Sequence, residues 1–201
     1  GGIAYNSGCQ VKLIDGNRGR ITAEQVAAAI NPDDIHKAKS SLVSLENTAN
    51  RGGGSCYEMD DIRKIRKVCD DNGLNLHLDG ARLFNAMVAK KQQPKDFGNL
   101  FDSISICLSK GLGAPVGSVL LGKKDFIKKA RRFRKVMGGG MRQAGILAAA
   151  GSLLLPRFYI GYRKSKRLRD FDNQLGDMLN LVVNGLRAGY SAMQALESVG
   201  R

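Results

Sequence analysis

The sequence lacks the long apolar run that a membrane-spanning helix requires. Its longest apolar stretch, residues 144–155, falls short of the roughly 18 residues needed to cross a bilayer. No secretory signal peptide is visible at the start of the chain either. The sequence therefore predicts neither a membrane span nor export, while 43% hydrophobic residues suffice for a globular core.

Cysteine is scarce, and the four cysteines show none of the spacings of a metal site. Two of them lie in apolar stretches, so the sequence predicts reduced thiols, as expected of a cytoplasmic protein. The four are Cys9, Cys56, Cys69 and Cys107.

Basic residues outnumber acidic ones and give a formal net charge of +14. Such a charge can indicate nucleic-acid binding, but this sequence does not interleave aromatic and basic residues as base-stacking proteins do. The dense basic run 123–135 contains an apolar stripe, which predicts a packed helix with its charges facing solvent. The stripe consists of Phe126, Ile127, Ala130 and Phe133. The charge therefore predicts no nucleic-acid partner.

Apolar runs of strand length alternate with helical stretches along the chain. Thr22 and Gln25 form a capping-box pattern, which predicts a helix that ends at Ile30. A second helix is predicted at 59–71, closed by Asn72-Gly73. Strands are predicted at 42–46, 74–79, 104–108 and 116–121. This alternation predicts an α/β fold with a mostly parallel sheet and helices on both faces.

Two of the predicted strands end close to residues that carry chemistry. Asp79 ends a run in which leucines alternate with polar residues, and Lys110 follows the run 104–108 in a stretch rich in glycine. Ligands of open α/β sheets gather at the carboxyl ends of strands, so we expect both residues at one edge of the sheet. The glycines after Lys110 leave room for a flat ligand to approach the backbone.

A lysine and an aspartate in this arrangement predict a site for pyridoxal 5'-phosphate. Desolvation disfavours the charged form of a lysine, so the amine of Lys110 would form a Schiff base with the cofactor's aldehyde. The carboxylate of Asp79 would keep the pyridine nitrogen protonated, which makes the ring an electron sink. Spacing alone also fits an ordinary Asp-Gly turn and a solvated loop lysine, since short motifs often mislead.

Longer stretches of the sequence resemble a known family. The strings "SLENTANRGGG", "HLDGARLFNA", "SICLSKGLGAPVGSVLLG" and "KVMGGGMRQAGILAAAG" are similar, in the same order, to signature stretches of the low-specificity L-threonine aldolases. That family belongs to the β-eliminating lyase group of fold-type I pyridoxal-phosphate enzymes. The resemblance covers residues 1 to about 154. It implies a homo-oligomeric carbon–carbon lyase that cleaves β-hydroxy-α-amino acids to glycine and an aldehyde.

The resemblance also implies roles for individual residues. Lys110 matches the Schiff-base lysine, and Asp79 matches the partner of the pyridine nitrogen. Arg82 matches an arginine near the cofactor's phenolic oxygen, and Arg142 matches one associated with the phosphate, contacts that suit a guanidinium. A surface ion pair is the alternative for both arginines. His77 is predicted to be a packed strand histidine on the same face as Asp79.

Other parts of the family's active site would come from outside these residues. The resemblance implies that the phosphate cup and a ring-stacking histidine precede Gly1, and that a small C-terminal domain supplies arginines for the substrate carboxylate. Ala49 stands where relatives often carry a histidine that contacts the substrate's β-hydroxyl, and alanine has no side-chain hydrogen bond to offer. We therefore expect low or no activity from this chain, and either another group at the hydroxyl or a different specificity.

The segment from about Leu155 resembles a different family. Its string "LGDMLNLVVNGLRAGYSAMQALE" is similar to the first cytoplasmic portion of F-type platform proteins of type II secretion and tight-adherence pilus systems. Apolar residues at helical spacing predict one helix, and Ser191 can cap another. We expect a helical second domain at 155–201, in which the basic run 163–169 meets anionic lipid at a membrane surface and the helix pair docks on a secretion platform. An unusual small domain of the aldolase is the alternative.

The two resemblances meet at residues 151–156, which fits a genuine fusion, a chimeric reading frame or a misassembled gene. The leading hypothesis is an enzyme-derived domain that acts on a small amino acid. The second is an assembly protein with an inactive aldolase-like passenger, and the third is a non-enzymatic basic binding module.

Overall fold

The computed structural model describes residues 2–149. The second domain predicted at 155–201 lies outside the described residues. The described helices are α1 (Gly2–Ser7), α2 (Ala23–Ala29), α3 (Met59–Asp71), α4 (Leu83–Lys90), α5 (Pro94–Leu100) and α6 (Lys124–Val136). The described strands are β1 (Leu42–Glu46), β2 (Asn75–Asp79), β3 (Ser103–Cys107) and β4 (Ser118–Gly122).

The four strands form one sheet in the order β1-β2-β3-β4. β2 pairs in parallel with both β1 and β3, whereas β4 runs antiparallel to β3. The predicted α/β fold with a mostly parallel sheet is confirmed. β4 begins at Ser118 rather than at Val116, because the chain first turns through Gly117, which has a φ of 116°.

The predicted capping box opens α2. The backbone N–H of Gln25 donates to Oγ1 of Thr22 at 3.3 Å, and the N–H of Thr22 donates to Oε1 of Gln25 at 2.9 Å. These two bonds satisfy amides that have no partner within the helix. The helix consequently begins where the sequence predicts.

The core lies between α3 and the middle of the sheet. Ile62, Ile65 and Cys69 recur at helical spacing on α3 and are fully buried. Leu76 and Leu78 of β2 are also fully buried, because alternate residues of a strand point to the same face. The alternate positions of β2, including His77 and Asp79, therefore belong to the opposite face of the sheet.

The packed helix predicted for the basic run 123–135 needs a correction. α6 is present, but none of its residues is buried, and Phe133 is 65% exposed. β4 is likewise exposed along its whole length. Gly2, Ile3, Asn6 and Ser7 of α1 lie beside Phe133 and Met137, and Phe126 lies against Gly122 of β4, so the stripe on α6 is contacted but not buried.

Within residues 2–149, every helix is too short or too polar to cross a membrane.

Candidate active site

Asp79 and the loop that carries Lys110 follow the carboxyl ends of two neighbouring parallel strands. Asp79 is the last residue of β2 and pairs in register with Ser105 of β3. Lys110 comes shortly after Cys107, the last residue of β3. The structure therefore brings both residues to one edge of the sheet, where ligands of such folds bind.

The backbone on either side of Asp79 is fixed by both neighbouring strands. The N–H of Asn47, just after β1, donates to the carbonyl of Asp79 at 3.0 Å. The N–H of Gly80 donates to the carbonyl of Ser105 at 2.8 Å. The carboxylate itself is oriented by the N–H of Ala81, which donates to Oδ1 at 3.2 Å. Among residues 2–149, Oδ2 of Asp79 has no hydrogen-bond partner, so it is available to a ligand.

Lys110 lies in a tight turn with its side chain exposed. The N–H of Gly113 donates to the carbonyl of Lys110 at 2.9 Å, and the N–H of Ala114 donates to the carbonyl of Leu108 at 3.0 Å. Leu112 and Ala114 are buried and anchor the turn. The desolvation that we expected at Lys110 is not provided by the described residues, because none of them encloses the amine.

The two predicted arginines differ in their placement. Arg82 is the residue just before α4 and is half-buried, close in the chain to Asp79. Arg142 is exposed in a turn after α6. No described contact brings Arg142 to the edge that carries Asp79 and Lys110. Its proposed contact with the cofactor phosphate therefore stays a prediction.

His77 is half-buried on the face of the sheet that also carries Asp79. Its Nδ1 lies 2.8 Å from Oγ of Ser103, the residue with which it pairs across β2 and β3. Burial lowers the pKa of His77, although the nearby charge of Asp79 and the contact with Ser103 act in the opposite direction. The ring is thus packed within the strand, as the sequence predicts, and its burial favours the neutral form.

Ala49 is enclosed in the loop after β1. It is 1% exposed, and its N–H donates to the carbonyl of Ser55 at 2.9 Å. A methyl group added at Gly19 would lie 2.8 Å from the Cβ of Ala49, so the loop and the turn at Gly19 interlock closely. The side chain of alanine contributes neither a hydrogen bond nor a charge to the edge of the sheet.

One contact at this edge could not be predicted from the sequence. The side-chain amide of Asn85 on α4 lies directly over Gly111, the residue after Lys110. The glycines around Lys110 indicated that something approaches the backbone there, but no pattern identified Asn85 as that neighbour.

The residues present fit pyridoxal phosphate in the chemistry that they offer. Lys110 has an accessible amine, and Asp79 has a fixed carboxylate with one oxygen unused among the described residues. An amine and a carboxylate at one edge are the groups that the cofactor's aldehyde and ring nitrogen require.

Comparisons with known proteins identify the family of this chain. The profile of the family described as "Beta-eliminating lyase" matches residues 1–193. A low-specificity L-threonine aldolase from Escherichia coli O157:H7 is 47% identical over 77% of this chain and 46% of its own length. One from Candida albicans is 40% identical over 100% of this chain and 57% of its own length. This chain thus spans about half the length of these relatives.

A solved structure shares the fold. The threonine aldolase of Leishmania major superposes with a TM-score of 0.72 and 24% identity, covering 93% of this chain and 53% of that protein. The family match reaches residue 193, well into the segment for which a secretion platform was predicted, and it does not favour that interpretation. The chain belongs to the beta-eliminating lyase family.

Proposed function

We propose that this chain carries the lysine-bearing part of a pyridoxal-phosphate-dependent aldehyde-lyase of the threonine aldolase type. The reaction would cleave a β-hydroxy-α-amino acid to glycine and an aldehyde. The family match and the names of the relatives support this activity. The observation that carries the proposal is the position of Asp79 and the Lys110 loop after two adjacent parallel strands.

Lys110 would hold the cofactor covalently. Its Nζ would be the attachment point for the cofactor, whose aldehyde is the kind of group that condenses with a lysine amine. The tight turn fixes the backbone of Lys110, while the exposed side chain leaves the amine free to react. A fixed backbone with a free amine favours reaction, because it lowers the entropy cost of alignment.

Asp79 would hold a proton on the ring nitrogen. Its Oδ1 accepts the N–H of Ala81, and its Oδ2, which has no hydrogen-bond partner among residues 2–149, would accept the N–H of the ring. A charged hydrogen bond between carboxylate and ring N–H is stronger than a neutral one. When bound, pyridoxal phosphate supplies the aldehyde and a ring that accepts negative charge from the substrate's α-carbon.

Arg82 and Arg142 would contact anionic groups of the cofactor, Arg82 at the phenolic oxygen and Arg142 at the phosphate. Ala49 cannot accept the proton of a β-hydroxyl, so in this proposal that proton goes to a group other than residue 49. A small amino acid would be the substrate, and the assembled enzyme would be a homo-oligomer. The cytoplasmic location stays a prediction from the cysteines.

The test of this proposal is covalent trapping of the cofactor on the full chain. Pyridoxal phosphate is added, the C=N bond is reduced with borohydride, and the modified peptide is identified by mass spectrometry. We expect the label on Lys110, with Lys110→Arg unlabelled because a guanidinium does not form the link. Lys95→Ala, which removes an exposed lysine on α5, is the control and should label normally. Equal labelling of Lys110→Arg and the unaltered chain would contradict the proposal.

Cleavage is measured separately, as glycine released from L-threonine. Loss of release in Lys110→Arg together with loss of the label would support the lyase activity.

A further inference from the structure

Gly111 is confined by a side chain from another element. A methyl group added at Gly111 would lie 2.5 Å from Oδ1 of Asn85 and 3.2 Å from both Cγ and Nδ2. All three atoms belong to one amide, so the amide of Asn85 lies against the Gly111 backbone. The φ of Gly111 is outside the left-handed region, so a side chain at this position would be opposed only by the exposed amide of Asn85.

The same loop is fixed from its other side. Leu112 and Ala114 are 7% and 5% exposed, and the N–H groups of Gly113 and Ala114 close the turn onto the carbonyls of Lys110 and Leu108. Lys110 itself points to solvent. The loop thus lies between a buried anchor and the amide of Asn85, while the amine stays accessible.

α4 connects this contact to Asp79. The helix starts one turn after Asp79, and the N–H of Asn85 donates to the carbonyl of Arg82 at 3.0 Å. The Gly80 turn between them is bonded to Ser105 of β3. Asn85 therefore lies between the turn that follows Asp79 and the loop that carries Lys110.

We propose that Asn85 is a positioning residue that holds the Lys110 loop at the distance from Asp79 that one cofactor spans. This inference rests on the proposed function, because only a ligand bound at both residues makes their separation important. Small displacements of reacting groups carry large kinetic effects, with a shift of about 1 Å costing on the order of 100-fold in rate.

The first test needs no cofactor. Hydrogen–deuterium exchange at the amides of Gly113 and Ala114 is compared in the unaltered chain, Asn85→Ala, Gly111→Ala and the double variant. Both single changes disturb one contact, so we expect about tenfold faster exchange in each and no further increase in the double variant. The controls are Asn99→Ala and Gly98→Ala on α5. Asn99 is exposed, and a methyl group at Gly98 meets nothing within 4 Å.

A conservative variant tests whether the size of the Asn85 side chain is sufficient to protect the loop. Asn85→Asp keeps the size of the side chain, so exchange at Gly113 and Ala114 should stay close to that of the unaltered chain. Unchanged exchange in Asn85→Ala would overturn the inference, and so would loss of protection in Asn99→Ala to the same extent.

The second test measures the rate at which pyridoxal phosphate becomes linked to Lys110, over a range of pH. We expect about tenfold slower linkage in Asn85→Ala and Gly111→Ala at every pH, with normal rates in the two α5 controls. If the unaltered chain forms no link at Lys110, the proposed function fails, yet the exchange measurements still decide whether Asn85 positions the loop. If linkage forms at equal rates in all variants, the positioning role is wrong while the proposed function stands.

Discussion

Asp79 of β2 and Ser105 of β3 lie opposite each other in parallel register, and the next residue, Gly80, donates its N–H to the carbonyl of Ser105 at 2.8 Å. This bond extends the ladder one step beyond the strand and turns the chain immediately after the carboxylate. The backbone that carries Asp79 is therefore fixed by the sheet itself, while the N–H of Ala81 orients the carboxylate.

Replacement of Asp79 by asparagine tests the role of its charge. The amide still accepts the N–H of Ala81, so the turn should persist, but it cannot form a charged hydrogen bond with a protonated ring nitrogen. We expect the Kd for pyridoxal phosphate, measured by absorbance titration, to rise about tenfold, since such a bond is worth roughly 1.5 kcal/mol or more. Asp33→Asn in an exposed loop should leave the Kd unchanged. Equal Kd values for the unaltered chain and Asp79→Asn would remove Asp79 from the site.

Replacement of Gly80 by alanine tests how closely β2 and β3 approach at this turn. A methyl group at Gly80 would lie 3.0 Å from the Ser105 carbonyl oxygen and 3.0 Å from the Cβ of Leu83. Neither neighbour can move without shifting the sheet or α4, so we expect unfolding to become easier by about 2 kcal/mol. Urea denaturation measures this change. Gly98→Ala, where the methyl group is unobstructed, should be neutral or stabilising.

Much of this edge could be predicted because the signals are local. Alternation of Leu76 and Leu78 with polar residues gives β2, and the capping box of Thr22 and Gln25 gives α2. Asp79 and Lys110 could be assigned to one edge because parallel strands share the direction of their carboxyl ends. These inferences depend only on the alternation of apolar and polar residues along a strand and on the hydrogen bonds that cap the start of a helix.

The remaining features depend on contacts between distant parts of the chain. β4 runs antiparallel to β3 after a turn through Gly117. The amino-acid composition of a strand does not predict whether it pairs in parallel or antiparallel. Asn85 and Gly111 meet only because α4 and the Lys110 loop follow neighbouring strands. The stripe of α6 predicts a buried face, but the contacts of this helix with α1 and β4 leave none of its residues buried. Periodicity alone could not predict this exposure.

A charged cluster joins α3 to the start of β3, and its loss should destabilise the fold. The guanidinium of Arg66 donates to Oδ2 of Asp102 at 2.8 Å and to the carbonyl of Leu74 at 3.0 Å. The same carboxylate oxygen accepts the N–H of Leu76 at 2.8 Å. Arg66→Met keeps the aliphatic packing but removes the donors, and we expect a loss of about 2 kcal/mol in the free energy of unfolding.

The matched control for this cluster is Arg63→Met on the same helix. Arg63 pairs with Asp60, and the two side chains are 58% and 81% exposed, compared with 15% for Arg66. An exposed pair of this kind contributes well under about 1 kcal/mol. Similar midpoints of urea denaturation for Arg63→Met and Arg66→Met would show that the Arg66 cluster is no stronger than an ordinary surface pair.

The pH dependence of stability should reflect His77. Burial lowers the pKa of His77 in the folded chain below its ordinary value of 6.5. The unfolded chain therefore binds a proton at this residue at a higher pH than the folded chain does, so the free energy of unfolding is unaffected above about pH 6.5 and falls as the pH drops below it. His77→Gln keeps a polar side chain beside Ser103 but does not titrate, so urea denaturation between pH 7.5 and 5 should show a shallower fall for this variant. His36→Gln, in an exposed turn, should retain the fall of the unaltered chain. Identical pH profiles for His77→Gln and the unaltered chain would mean that burial of this ring does not couple protonation to unfolding.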